Sequence, residues 1–171
     1  MHTTKSGSDG VQIPSPSVAS AVINYVGSHD FAVPVEELWA AVERVDKFGG
    51  WWGWLQEFRL EGDGLSAGSV LHGVVAPPLP YRMRLRVEIV RSVRNKSIEA
   101  EVHGDLEGVA RLEMYPGPVG TTVDIAWTVE MMQRPMRLAS RFAHPLLRWG
   151  HDRVVEMTLR SLPPEFGYHG P

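Results

Sequence analysis

The sequence predicts an α+β domain: a curved antiparallel sheet of about seven strands wrapped around a long C-terminal helix, with short helices after the first strand. Three observations carry that prediction. Consecutive segments between residues 57 and 132 alternate apolar and polar residues and are joined by short turns, the mark of antiparallel neighbours. The apolar spacing then becomes helical over residues 134–162, so strands and helix are segregated along the chain. Seven strands at about 4.8 Å span roughly 33 Å, whereas one helix covers only about 10–12 Å. A flat sheet would leave much of its apolar face wet, so the sheet must curl. A curled sheet gripping one helix leaves an apolar space between them, and such a space is a typical ligand site.

Residues 1–18, rich in Ser, Gly, Pro and Thr, are expected to form a disordered tail. Residues 19–163 are expected to form one domain, and 164–171, the end of "PPEFGYHGP", a C-terminal tail that cannot stay helical. Ala21 to Ala32 reads as a strand by its β-branched and aromatic residues. "VPVEELWAAVERV" then reads as a helix over 34–45. Pro34 suits its first position, where a missing N–H costs nothing. Glu36 and Glu37 favour its positive end, and Val35, Leu38, Trp39 and Val42 recur at helical spacing. "DKFGG" adds a half-turn before glycine stops it.

Strands follow in series. "EFRLEGD" and "SVLHGVVA" are the first two, punctuated by Gly62, Gly64 and Gly68 and closed by "PPLP". In Tyr81–Val90, Tyr81, Met83, Leu85, Val87 and Ile89 face in, while Arg82, Arg84, Arg86 and Glu88 face out. In "SIEAEVHG", Ile98, Ala100 and Val102 face in, and Glu99, Glu101 and His103 out. Pairing these two as a hairpin sets Arg84 and Arg86 near Glu101 and Glu99, a favourable cross-strand match. "LEGVARLEMY" and "TTVDIAWTVEMM" are joined by "PGPVG". Val123, Ile125, Trp127, Val129 and Met131 share one face of the last strand. In the closing helix Leu138, Phe142, Leu146, Trp149, Arg153 and Met157 form one stripe, and Pro145 should kink it near Ala143–His144.

Composition excludes several function classes. The chain has 171 residues, enough for one domain, and 43% apolar content, enough for a core. A net charge of −3 argues against nucleic acid as a partner. The absence of cysteine rules out disulfides and thiolate chemistry and fits a reducing compartment. No run of 18 apolar residues exists to span a membrane, and "MHTTKSGSDG" lacks the apolar core of a signal peptide, so a cytoplasmic location is expected. No metal site and no cofactor are expected either. His103 and Asp105 form an H-x-D pair placed outward or in a turn. His144 and His151 lie about 10 Å apart along a helix, too far for one ion. "GGWWGW" lacks the basic residue and following helix of a phosphate-binding loop.

The three tryptophans of "DKFGGWWGW" need a place, since each buries about 150–250 Å². Trp52 is expected to anchor the short helices to the sheet and Trp51 to reach the pocket entrance, with Trp54 starting the next strand partly exposed. Packing of all three into the core is the plainer alternative. A third reading is transient membrane contact, in which Arg134, Arg137, Arg141 and Arg148 beside Phe142 and Trp149 make a basic amphipathic surface.

"VPVEELWAAVERVDKFGGWW", "PLPYRMRLRVEIV", "GDLEGVARLEM" and "RPMRLASRFAHPLLRWGHDRVVE" together resemble the START-like, helix-grip superfamily often called SRPBCC, within it the polyketide cyclase/dehydrase-like branch with its bacterial members. The resemblance covers about residues 21–162. It implies the helix-grip fold and a hydrophobic ligand cavity, in a superfamily that holds lipid and sterol carriers, aromatic-polyketide cyclases, hormone receptors and ubiquinone-binding proteins.

The candidate ligand-binding residues are Trp51, Tyr81, Met83, Leu85, Trp127, Phe142, Trp149, Arg153 and Met157. Most are large, soft side chains of the kind that line adaptable pockets, although core packing explains each singly. The Tyr81 hydroxyl either donates to a ligand oxygen or is satisfied by backbone. Arg153 falls on an apolar stripe; it either meets a polar group of the ligand at the cavity mouth, a role His151 can share, or belongs to surface pairs within "GHDRVVE". The expected function is binding of a small hydrophobic molecule, lipid, isoprenoid or polyketide-like. The alternative is a cyclase or dehydratase acting in the same cavity, and no residue is assigned to catalysis. The inward faces hold almost no carboxylate or histidine to serve as its acid or base. A protein-interaction module built on the tryptophan cluster is a third possibility. Oligomeric state is not encoded in any feature of the sequence.

Overall fold

A computed structural model describes residues 22–76, 81–132, 153, 154, 156–158, 160, 168 and 169. Strand β1 (Val22–Phe31) leads through a bend into helix α1 (Val35–Val42). Pro34 is not the first helical residue: it sits before it, extended at ψ 155°, and its carbonyl accepts the N–H groups of Glu37 and Leu38 at 3.1 Å. α1 buries Val35, Leu38, Trp39 and Ala41. A 3₁₀ turn (Val45–Lys47) and a one-turn helix α2 (Phe48–Trp51) follow, and α2 runs straight through Gly49 and Gly50, where the sequence expects a stop. Packing overrides the weak helix propensity of glycine: Phe48 is buried, its ring 4.4 Å from that of Trp52.

The remaining strands are β2 (Leu55–Glu61), β3 (Val70–Val75), β4 (Met83–Val93), β5 (Ser97–Gly104), β6 (Leu106–Pro116), β7 (Thr121–Met131) and β8 (Tyr168–His169). The sheet order is β2-β3-β4-β5-β6-β7-β1-β8, antiparallel throughout. β8 is a short strand within the segment expected to be a tail, and pairs Tyr168 with Phe31 and His169 with Asp30.

The expected β4–β5 register is corrected. β4 runs on to Val93, past Val90, so the turn falls at Arg94–Lys96, with Asn95 at φ 58°, and the pairing slips along the strands. Arg86 faces His103, Glu88 faces Glu101, and beyond an irregularity at Ile89/Arg91 it is Arg91 that meets Glu99. The opposed Glu88 and Glu101 are unfavourable neighbours. Arg86, at 2.8 Å from Glu88, offsets this from within its own strand.

The inner face of the sheet is solid at one end. Phe31, Val123, Met114, Ile98, Ala100 and Ile89 come from five neighbouring strands and join the buried side chains of α1 and Phe48 in one cluster. Towards the other end of the same strands the packing opens. There a helical segment is described at residues 153, 154, 156–158 and 160. Trp52 ties it to the tryptophan turn: its indole N–H donates to the Thr158 carbonyl at 3.3 Å. The anchoring expected of Trp52 therefore reaches this helical segment. The rest of the expected C-terminal stripe, the kink at Pro145 and the arginines of the basic surface lie outside the described residues. Among the described residues no helix is long and apolar enough to cross a membrane.

Candidate functional site

The open half of the inner face encloses a cavity of about 240 Å³. Alternation builds its walls: Met83, Leu85 and Val87 come from β4, Leu106 and Ala110 from β6, and Trp127, Val129 and Met131 from β7. Ile23, Val75 and Val102 add the inner faces of β1, β3 and β5; Trp54, Tyr81 and Val154 complete the lining. Ala110 lies directly opposite Trp127 on the neighbouring strand, and its missing bulk leaves room over the indole. Among the described residues the walls are apolar apart from the indoles and the Tyr81 phenol. Burial pushes the pKa of that phenol up, so it stays a neutral hydrogen-bond donor. The Trp54 indole N–H is buried without a hydrogen-bond partner.

Of the residues singled out from the sequence, Tyr81, Met83, Leu85 and Trp127 stand together on this wall. Trp51 does not. It ends α2, its ring 6.2 Å from Phe48, and packs on the solid half of the core; Trp54 is the tryptophan of that run at the cavity. Arg153 is exposed and its guanidinium pairs with Glu156 at 2.7 Å, while its neighbour Val154 reaches the cavity. Met157 is half-buried on the same helical segment and is not among the lining residues. Phe142 and Trp149 lie outside the described residues. On the outer face His103 bonds Glu107 at 3.0 Å, and Asp105 accepts the Arg84 backbone N–H at 2.7 Å. No group of three or more metal-binding side chains occurs among the described residues.

Strand β1 corrects the expectation that the inward faces lack histidine. Its register with β7 puts Ile23, Tyr25, Gly27, His29 and Phe31 on the inner face, opposite Val129, Trp127, Ile125, Val123 and Thr121. The Tyr25 ring stacks on Trp127 at 4.4 Å, and its phenol oxygen lies 3.0 Å from His29 Nε2. Gly27 makes this reach possible: a Cβ there would sit 2.2 Å from the phenol oxygen.

Burial lowers the pKa of His29 from 6.5, against the opposing pull of the Asp124 and Asp30 carboxylates. A depressed histidine is protonated more readily in the unfolded chain, so stability must fall as pH drops below 6.5 towards the folded-state value. Thermal melts in that window should show this loss in the native chain and a smaller one in His29→Gln. An equal loss in both would remove His29 as its source.

No family model matches the chain, and no curated protein matches it. Solved structures do. A protein of Thermus thermophilus is 14% identical, with a TM-score of 0.63 over 82% of this chain and 93% of its own. Norcoclaurine synthase from Thalictrum flavum, in complex with dopamine and hydroxybenzaldehyde, is 11% identical, with a TM-score of 0.53 over 90% of this chain and 98% of its own. The di-domain ARO/CYC StfQ from the steffimycin biosynthetic pathway is 10% identical, with a TM-score of 0.58 over 81% of this chain and 50% of its own. These likenesses show the helix-grip fold.

Proposed function

We propose that this chain binds a small, largely apolar molecule in the cavity between the sheet and the C-terminal helical segment. The carrying observation is the cavity itself, about 240 Å³ with described walls that are aliphatic and aromatic save for one phenol and the indoles. A dry apolar cavity of ~150 Å³ takes up benzene, so a guest of about two fused rings, or a short isoprenoid or polyketide-like piece, suits this one. The Tyr81 phenol offers such a guest one hydrogen bond. Structural neighbours that include a synthase holding two small aromatic molecules support the reading. The same phenol, with the likeness to an ARO/CYC protein, favours a second reading in which the guest is cyclised or dehydrated where it binds.

The test is direct. Native mass spectrometry of the purified chain should reveal a co-purified apolar mass, and 8-anilinonaphthalene-1-sulfonate should bind with increased fluorescence. Ala110→Trp fills the space over Trp127 and should weaken the dye by about tenfold or more while the protein stays folded. Dye binding that ignores Ala110→Trp, with no co-purified mass, would refute the reading.

A further inference from the structure

We infer that the outer face of the sheet carries a groove for a small phosphate monoester, formed across β2, β3, β4 and β5. The groove lies on the opposite side of the sheet from the apolar cavity and stands independently of the cavity reading.

Register builds it. Arg59 on β2 is opposite His72 on β3, His72 is opposite Arg86 on β4, and Arg86 is opposite His103 on β5. This row of four basic residues crosses three strand spacings, roughly 14 Å. The pairing that forgoes the expected Arg–Glu match between β4 and β5 is what completes the row. Two residues along the strands, roughly 7 Å away, Val74 and Arg84 pair to form the facing side. A groove of about 390 Å³ lies between. Its floor is the row Gly73, Leu85 and Gly104, backbone seen from outside, since the Leu85 side chain belongs to the inner cavity wall.

Charge is sorted across this surface. Behind the basic row runs an acidic one: Glu61 is 2.9 Å from Arg59 and Glu88 is 2.8 Å from Arg86, and neither carboxylate lines the groove. Each guanidinium has five N–H donors and one carboxylate takes two at most, so donors remain for a ligand. The lining holds three arginines against Glu57, a net +2 with the histidines neutral, in a chain whose net charge is −3. A phosphate monoester carries about −1.5 to −2 at pH 7 and matches that charge; a carboxylate carries half as much. Arg84 and Arg86 flank the floor at Leu85 and grip one phosphoryl group from both sides, the two-pronged contact that guanidinium makes with phosphate oxygens. The acidic row of Glu61, Glu88 and Glu101 alongside repels a longer polyanion, so the ligand is small.

One feature of β2 has no reason in packing. The strand is bulged between Gln56 and Arg59, and Glu57 there adopts φ 50°, a strained conformation for a residue with a side chain. Bulges re-aim side chains, and this one sets the Glu57 carboxylate in the groove, 3.6 Å from Arg84. Glu57 stands in for the anion at Arg84 and gives way when the phosphoryl group binds.

The probe is phenyl phosphate, titrated at neutral pH and low salt into the ¹⁵N-labelled chain, with benzoate as the singly charged comparison. Amide shifts at Gly73, Leu85 and Gly104 should saturate with a Kd of about 1 mM or tighter, and benzoate should bind at least about tenfold more weakly. Arg84→Gln and Arg86→Gln should each weaken phenyl phosphate by about tenfold or more. Glu57→Gln should tighten it by about threefold or more. Arg111→Gln, at an exposed arginine outside the groove, should leave it unchanged. Should the arginine variants fail to fold by circular dichroism, the amide map of the native chain and Glu57→Gln decide. Absence of binding, shifts centred on other strands, benzoate bound as tightly, or a loss in Arg111→Gln equal to that in the groove variants overturns the inference. So does a phosphoserine peptide that binds through the same amides more than about tenfold tighter than phenyl phosphate, because the groove then serves a protein partner. The anilinonaphthalene dye should bind equally with and without phenyl phosphate; its displacement would put the ester in the cavity and overturn the groove while leaving the cavity reading intact.

Discussion

Trp39→Ala is expected to destabilise the domain by about 3–5 kcal/mol, a fall in Tm of roughly 6–20 °C for a chain of this size. Trp39 is 2% exposed and belongs to the cluster that fills the solid half of the grip. Around it stand Leu38 on its own helix, the sheet residues Phe31, Met114 and Val123, and Phe48 of α2 within the same cluster. None of these can close the gap, because the helix and the strands that carry them are tied down elsewhere. The indole N–H is buried with no hydrogen-bond partner, so part of what this side chain contributes by bulk is offset by an unsatisfied donor. Trp39→Phe removes that donor and should cost less, about 1–2 kcal/mol. Trp127→Ala should also cost less than Trp39→Ala, because one side of Trp127 already borders empty space. Equilibrium denaturation of the three variants checks the order. A loss at Trp127 as large as that at Trp39 would mean that the two halves of the inner face are equally well filled.

The distinction between solid and hollow halves marks the limit of what the sequence discloses. The alternation in β4, β5 and β7 is legible because each strand buries one face, and residues such as Met83, Leu85 and Trp127 lie inward where the spacing puts them. The curl of the sheet follows from counting strands against one helix. Register is not legible: the Arg–Glu match expected between β4 and β5 is plausible chemistry, but charged partners along each strand make several registers acceptable, and the place of the turn decides among them. The tryptophan run is ambiguous for a related reason. Whether Trp51 or Trp54 meets the cavity depends on where a one-turn helix ends, and α2 ignores its glycines.

β1 conceals most. Its outer face carries Val26, 85% exposed, while its inner face carries Gly27 and His29, the reverse of the usual contrast. The signal in the sequence is parity: Tyr25, Gly27 and His29 share the phase of Ile23 and Phe31, the two residues of the strand that suit a core. Reading the strand from its apolar ends inward puts the tyrosine and the histidine on the cavity side.

The second large effect is expected at Gly120, just before β7. Its φ of +154° is a conformation that side chains rarely adopt, and a Cβ would stand 2.5 Å from the Phe31 carbonyl oxygen and 2.8 Å from both Val33 N and Val33 O. All three are backbone atoms, so no rotamer change relieves the contact. Thr121, 0% exposed, holds the same segment by donating its hydroxyl to the Val33 carbonyl at 2.6 Å. The bend from β1 into α1 is thus clasped at Val33, and moving it shifts the helix that seals the solid half. Gly120→Ala should cost about 3 kcal/mol or more, backbone strain and overpacking adding to each other. Gly64→Ala is the matched comparison: φ is +55° there but no atom lies within 4 Å of the added Cβ, so about 1–2 kcal/mol of conformational strain is all it should cost. Urea midpoints of the two variants separate the contributions. Equal losses would show that the Val33 segment yields freely, and the placement of α1 against the sheet would then owe nothing to this clasp.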